Sequence, residues 1–289
     1  MSADVLSHIL DLPGALQVAD IGAACLGAPP PYHAMVLTGL AHLNAFDADV
    51  RQHPKLRETY GERLTLFPQV VGDGTRQMLH IASPASGMTS LLRPLPERLA
   101  FFNGFTEFGR IQSRQEVETR RLDDIVGLPD IDFLKMDIQG AELQVLTHGE
   151  TRLAGCAMIQ LEVSFIPLYE GQPTFGEIDG WMRAHGFIPH CFTEVKRWSI
   201  SPVRRNSNDR QPFNQLLEAD AVYMRNVIDP ELDPNLLKKI ALLAHHGYRS
   251  VDLTGHILTV LEGRGLLAGG SFTRYLASLN AKGDDRAPQ

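Results

Sequence analysis

Cysteine is scarce: Cys25, Cys156 and Cys191 are the only three in 289 residues. They are too few and too scattered for a disulfide framework, and Cys156, inside the apolar run Cys156-Ala157-Met158-Ile159, reads as a buried, inert thiol. No apolar run reaches the roughly 18 residues a membrane-crossing helix needs, so no membrane partner is expected. Met1-Ser2-Ala3-Asp4 has no basic stretch ahead of an apolar one, which argues against a secretory signal and makes the cytoplasm the expected compartment. Positive charge is in deficit, with 27 Lys and Arg against 34 Asp and Glu and a net charge of −7. The densest basic stretches, 110–121 and 204–210, are short and interrupted, so no nucleic-acid partner is expected. A Gly-x-Gly-x-x-Gly turn is absent too, which weighs against a nicotinamide-dependent oxidoreductase. No internal repeat occurs.

What remains is an ordinary globular composition, 44% hydrophobic and 21% charged. Short apolar runs alternate with segments of helical spacing. Strands are expected at 18–22, 43–47, 64–71, 77–81, 133–136, 157–163, 187–195 and 220–224, with helices at 32–37, 54–60, 142–149 and 174–186. Alternating strands and helices imply an α/β fold with a mainly parallel sheet covered on both faces. The last two strands lack a clear helix between them, which predicts an antiparallel C-terminal edge. Residues 83–115, rich in Ser, Pro and Phe, read as an insertion reaching over the carboxyl edge of the sheet. There Phe101, Phe102, Phe105 and Phe108 either line a pocket or anchor the insertion. The character changes after Pro230, where amphipathic helices begin near 234–243, 251–261 and 272–279. The expected division is a core domain at 1–228 and a helical appendage at 229–289, the latter packing on the core or forming a homodimer interface.

The chemistry-bearing residues sit at predicted strand ends, where open parallel sheets bind ligands. Asp20 ends the first strand and is followed by Gly22 and Ala23, then Gly27. A carboxylate there can hold a cationic amino group, and glycine lets the backbone approach a ligand closely. Asp47 ends the second strand, placed to accept from ribose hydroxyls. Gly72-Asp73 is either a simple turn or an adenine-facing acid. Asp137 ends the strand in Phe133-Leu134-Lys135-Met136-Asp137-Ile138-Gln139-Gly140-Ala141-Glu142, and Glu142 reads equally as a cap for the next helix. Glu162 lies in an otherwise apolar strand and needs a partner if buried. A sulfonium nucleoside, S-adenosylmethionine, suits such acids: it carries an amino group and a ribose but no phosphate. His245-His246 and His256 carry no metal reading, because adjacent histidines face different sides of a helix, and no metal is expected.

The 133–142 run, together with Ile159-Gln160-Leu161-Glu162-Val163-Ser164-Phe165 and Pro167-Leu168-Tyr169-Glu170-Gly171-Gln172-Pro173, resembles the FkbM family of methyltransferases. The likeness extends to Ala45-Phe46-Asp47-Ala48-Asp49 and Leu216-Leu217-Glu218-Ala219-Asp220-Ala221-Val222-Tyr223. It implies a Rossmann-like class I methyltransferase fold that uses S-adenosylmethionine to methylate a hydroxyl oxygen of a sugar, glycan or secondary metabolite. Cofactor binding then falls to Asp20, Gly22, Ala23, Asp47, Asp73 and Asp137. Asp137 is the first choice to orient or deprotonate the acceptor hydroxyl, with Glu162 and His190 as second choices. The family turn usually reads acid-x-Gly-Ala-Asn-x-Gly, whereas this one is Asp20-Ile21-Gly22-Ala23-Ala24-Cys25-Leu26-Gly27. That difference leaves open a non-catalytic binding or assembly protein with a degenerate site.

Overall fold

The computed structural model describes residues 5–23, 29–47, 53–83 and 86–281. Cys25, Gly27, Ala48-Asp49 and the polar end at 282–289 lie outside the described residues. The strands are β1 (Leu16–Ile21), β2 (Ala41–Phe46), β3 (Leu64–Phe67), β4 (Val70–Val71), β5 (Arg76–Ile81), β6 (Ser113–Arg120), β7 (Phe133–Met136), β8 (Met158–Ser164), β9 (Phe187–Arg197) and β10 (Leu216–Arg225). The helices are α1 (Val5–Leu10), α2 (His33–Thr38), α3 (His53–Tyr60), α4 (Pro96–Phe101), α5 (Phe105–Phe108), α6 (Glu142–Thr147), α7 (Glu150–Leu153), α8 (Phe175–Ala184), α9 (Pro234–Tyr248), α10 (Val251–Gly263) and α11 (Ser271–Ala281).

Seven strands form one sheet in the order β3-β2-β1-β7-β8-β10-β9. All run parallel except β10, which is antiparallel to both of its neighbours. The reversed strand is therefore not the outermost one: β9 lies beyond it, parallel to β8. Consecutive residues of the central strands face opposite sides. Val18, Leu43, Phe133, Met158 and Val222 enter one core, beneath α1, α2, α9 and α10. Ala19, Ile21, Leu134, Met136, Ile159 and Leu161 enter a second, beneath α6, α7 and α8. Every residue of β8 is buried, as expected of a strand covered on both faces, and this includes the polar Gln160, Glu162 and Ser164.

The stretch 64–71 is not one strand. Pro68 has no N–H to give a ladder, and the chain leaves the main sheet there. Val70–Val71 pairs instead with β6, in a three-stranded sheet of order β4-β6-β5. This small sheet carries the insertion, whose Phe102 and Phe105 pack with Leu168, Tyr169 and Leu217 in a third core. Phe105 meets Trp198, from the loop after β9, edge to face at 5.0 Å between ring centroids.

The C-terminal helices share the first core with the sheet: Leu237, Ile240, Leu243, Ile257, Leu258 and Leu261 are fully buried in it. Lys239 of α9 lies 2.5 Å from Asp132, just before β7, and Asp132 also accepts from the backbone N–H of Gln17 at 2.7 Å. Asp233 caps α9 by accepting from the N–H groups of Asn235 and Leu236. His245 is bonded to the Tyr275 hydroxyl at 2.9 Å, which joins α9 to α11. Burial pushes the Cys156 thiol up to about 12 and leaves it inert.

Candidate active site

At the carboxyl edge of the parallel strands lies a cavity of 1510 Å³. Asp20, Gly22 and Ala23 reach it from the end of β1, Asp47 from β2 and Asp137 from β7. Glu162 reaches it from β8. Because β10 runs the other way, its opening residues Glu218 and Asp220 stand at the same edge, with Glu194 and Lys196 of β9 beside them. The insertion closes one side with Met88, Ser90, Phe105 and Phe108, next to Leu79 of β5. The C-terminal helices contribute Gly247 and Tyr248.

The turn after β1 passes very close to the tip of β7. Gly22 has φ +87°, and a Cβ there would sit 2.2 Å from the Asp137 carbonyl oxygen, so only glycine fits. Asp20 is buried. One carboxylate oxygen accepts from the Tyr32 hydroxyl, and the other accepts from the Lys135 ammonium at 3.4 Å. Lys135 is the residue directly opposite Asp20 in the β1–β7 pairing. Burial alone would lower the Lys135 pKa, but the carboxylates of Asp20, Asp137 and Asp220 raise it above its ordinary value.

A second group surrounds Asp137. Gln139 donates through Nε2 to Asp137 Oδ1 at 3.0 Å and to Glu162 Oε1 at 3.1 Å. Lys196 lies 3.7 Å from Glu162 and donates to Glu218 at 2.7 Å. Burial, helped by the negative charges of Glu218 and Asp137, raises the Glu162 pKa well above the ordinary carboxylate range. Glu142 faces inward at the first turn of α6 and accepts from the Ile138 N–H at 3.1 Å. Burial lifts its carboxyl to about 7. Glu142 thus serves the turn between β7 and α6.

Two expected site residues stand elsewhere. Asp73 does not line the cavity. Its Oδ1 accepts from the Thr75 N–H at 2.8 Å, the Thr75 hydroxyl at 2.7 Å and the Thr119 hydroxyl at 3.3 Å. Partial burial works against its charge, but hydrogen bonds led by Thr75 hold the carboxyl down to about 2. It organises the Gly72–Gly74 turn against β6. His190 is also away from the cavity, its Nε2 bonded to the Ser250 hydroxyl at 2.7 Å, and burial lowers its pKa. In β9 it faces the C-terminal helices, where it also meets the Tyr248 ring at 6.3 Å between centroids.

Sequence reasoning missed Tyr32, Lys135, Gln139, Lys196 and Tyr248. For Lys135 a signal existed: a cation in Phe-Leu-Lys-Met demands a buried partner by the same logic applied to Glu162.

The sheet order, with its one reversed strand, defines a Rossmann-like α/β protein with acids collected at the carboxyl edge. The chain matches the methyltransferase FkbM domain over residues 32–189. It belongs to the FkbM methyltransferase family. It is 31% identical over 166 residues to the 2-O-methyltransferase NoeI of Sinorhizobium fredii, a match that covers 54% of this chain and 66% of that protein's length, just under two thirds. Among solved structures, the magnesium protoporphyrin IX methyltransferase ChlM of Synechocystis PCC 6803, with bound SAM, is 13% identical, with 77% and 76% of the two chains covered and a TM-score of 0.38. The 23S rRNA methyltransferase ErmE is 10% identical over 100% of this chain and 91% of its own, with a TM-score of 0.33.

Proposed function

We propose that this protein is an S-adenosylmethionine-dependent O-methyltransferase acting on a hydroxyl of a sugar, glycan or secondary metabolite. One observation carries the reading: in a chain of the FkbM family, Asp20, Gly22, Ala23, Asp47 and Asp137 converge on one cavity. The naming of NoeI as a 2-O-methyltransferase supports oxygen as the acceptor atom.

The residues present suit the cofactor. Asp20 and Asp47 are carboxylates at adjacent strand tips, suited to an ammonium and to ribose hydroxyls respectively. Ile21, Phe46 and Val71 add apolar wall between them, where a purine can be covered. When bound, the cofactor supplies a methyl group that is already electrophilic because it sits on a sulfonium. What the chain must add is alignment and removal of a proton. A well-held geometry can supply on the order of 7–11 kcal/mol of a barrier. Among the described residues, Asp137 Oδ2 has no hydrogen-bond partner, and the side chain is exposed to the cavity. Asp137 Oδ2 therefore takes the acceptor hydroxyl proton or orients that hydroxyl. Glu162 is buried, engaged by Gln139 and drawn toward its protonated form, so it supports Asp137 from behind.

Calorimetry with S-adenosylhomocysteine tests the cofactor half; no measurable heat would favour a non-catalytic binding or assembly protein. Asp137→Asn tests the chemistry. It should keep that affinity while label transfer from S-adenosylmethionine into extracts of the host falls by about 10²–10⁴-fold.

A further inference from the structure

Gln139 has a backbone that an L-residue avoids, with φ +59°, a conformation costing on the order of 1–3 kcal/mol that persists only where its surroundings enforce it. The surroundings are specific. Its carbonyl accepts from the hydroxyl of Ser90, a buried residue of the insertion, at 2.8 Å. Its side-chain Oε1 accepts from the Tyr169 hydroxyl at 3.1 Å. Its Nε2 carries two hydrogens, and one goes to each carboxylate, Asp137 and Glu162. A carboxamide is the group that can do this: it bridges two carboxyl groups with two donors, adds no charge, and still accepts on its other side. The turn brings this about, because the left-handed residue folds its side chain back over Asp137, two residues earlier, and across to β8.

We propose that Gln139 is the positioning residue of the reaction: it pins Asp137 Oδ1 so that Oδ2 meets the acceptor, and it ties that orientation to the insertion through Ser90 and to the loop after β8 through Tyr169. The inference rests on the reading of Asp137 as the group that meets the acceptor. Gln139 touches neither cofactor nor acceptor in this scheme; it acts through Asp137. The insertion then does more than cover the cavity. Seating Ser90 and Tyr169 on Gln139 sets the angle of the carboxylate.

The test uses Gln139→Gly in the full chain, because glycine relaxes the strained backbone and deletes only the bridge. S-adenosylhomocysteine affinity should stay at its wild-type value, and near-ultraviolet circular dichroism should show the variant folded. Carbon-13 spectra followed by nuclear magnetic resonance should show the Asp137 side-chain carboxyl resonance displaced, since its Oδ1 loses the Gln139 donor. A residue with no hold on Asp137 would leave that resonance in place, and an unchanged resonance overturns the proposal. In label transfer into host extract, the variant should be slower by about tenfold or more at saturating cofactor, with the cofactor KM held. A wild-type rate in Gln139→Gly overturns the proposal alone if Asp137→Asn is dead. If Asp137→Asn is itself active, the reading of Asp137 falls and takes the proposal with it.

Discussion

Gly22 touches the carbonyl oxygen of Asp137: a side chain on Gly22 would place its Cβ 2.2 Å from that oxygen. The turn that follows β1 and the tip of β7 are thereby locked in one geometry, and the acids on both are held at fixed separation.

Gly22→Ala should therefore damage both the fold and the site. The residue would have to hold φ +87° and push back a backbone atom. Strain of about 1–3 kcal/mol and a comparable overpacking cost are expected together. Thermal unfolding should show the loss, and S-adenosylhomocysteine binding should weaken with it. Binding at wild-type strength in a folded Gly22→Ala protein would mean that the close approach is unnecessary.

Glu142 predicts a pH dependence. Its carboxyl ordinarily titrates at 4.5 and is raised to about 7 in the folded protein. The folded state then holds more protons than the unfolded one between those values. Its contribution is complete below 4.5 and is lost as pH rises through 7. The span corresponds to a contribution of about 3 kcal/mol. Glu142→Gln keeps an acceptor for the Ile138 N–H and removes the titration. Denaturant unfolding at several pH values should show the variant gaining on the wild type from pH 5 to pH 8; parallel curves would refute the assignment.

Asp73→Ala separates a turn former from an adenine contact. The structure assigns the carboxylate to Thr75 and Thr119, so stability should fall by about 1 kcal/mol for the lost hydrogen bonds, and cofactor affinity should hold. The Asp73 carboxyl is held at about 2 against an ordinary 3.8, so its stabilisation is present above 3.8 and disappears as pH falls through 2. A clear loss of S-adenosylhomocysteine affinity at neutral pH would return Asp73 to the binding site.

Removal of residues 229–289 exposes the apolar side of β1, β7 and β8 that Leu237, Ile240 and Leu258 cover. At about 25 cal/mol per Å² of apolar surface, loss of three helices outweighs the net stability of a typical domain. The shortened chain should be insoluble or molten by near-ultraviolet circular dichroism. A milder change, Tyr248→Phe, removes the donor to Gln160 Oε1 at 2.9 Å and should cost about 1–3 kcal/mol by leaving a buried acceptor unsatisfied.

The central strands and their terminal acids were legible because burial on both faces writes a continuous apolar run, against which Asp20, Asp137 and Glu162 stand out. The helical spacing of Phe175, Ile178 and Met182 also placed α8, while the capping box of Thr174 and Glu177 at its start went unread. Direction was not legible. Asp73 sits in a plain glycine turn, and nothing local says whether its carboxylate points to the cavity or to Thr75. His190 poses the same problem in a strand whose two faces both carry polar residues. The break at Pro68 was hidden by apolar residues on either side, although proline's missing donor already forbade a continuous ladder. Tyr32 and Tyr248 act through partners 12 and 88 residues away in sequence, a relation that no local pattern encodes.

Tyr248 hangs over a pocket whose first acid is Asp20, so the cavity wall draws on nearly the whole length of the polypeptide. During synthesis the early strands leave the ribosome long before α9 does, and until then the sheet has one bare greasy side and no closed binding site. A nascent chain of this protein should accordingly be a chaperone client, and capture of cofactor should begin only after the last helices have docked.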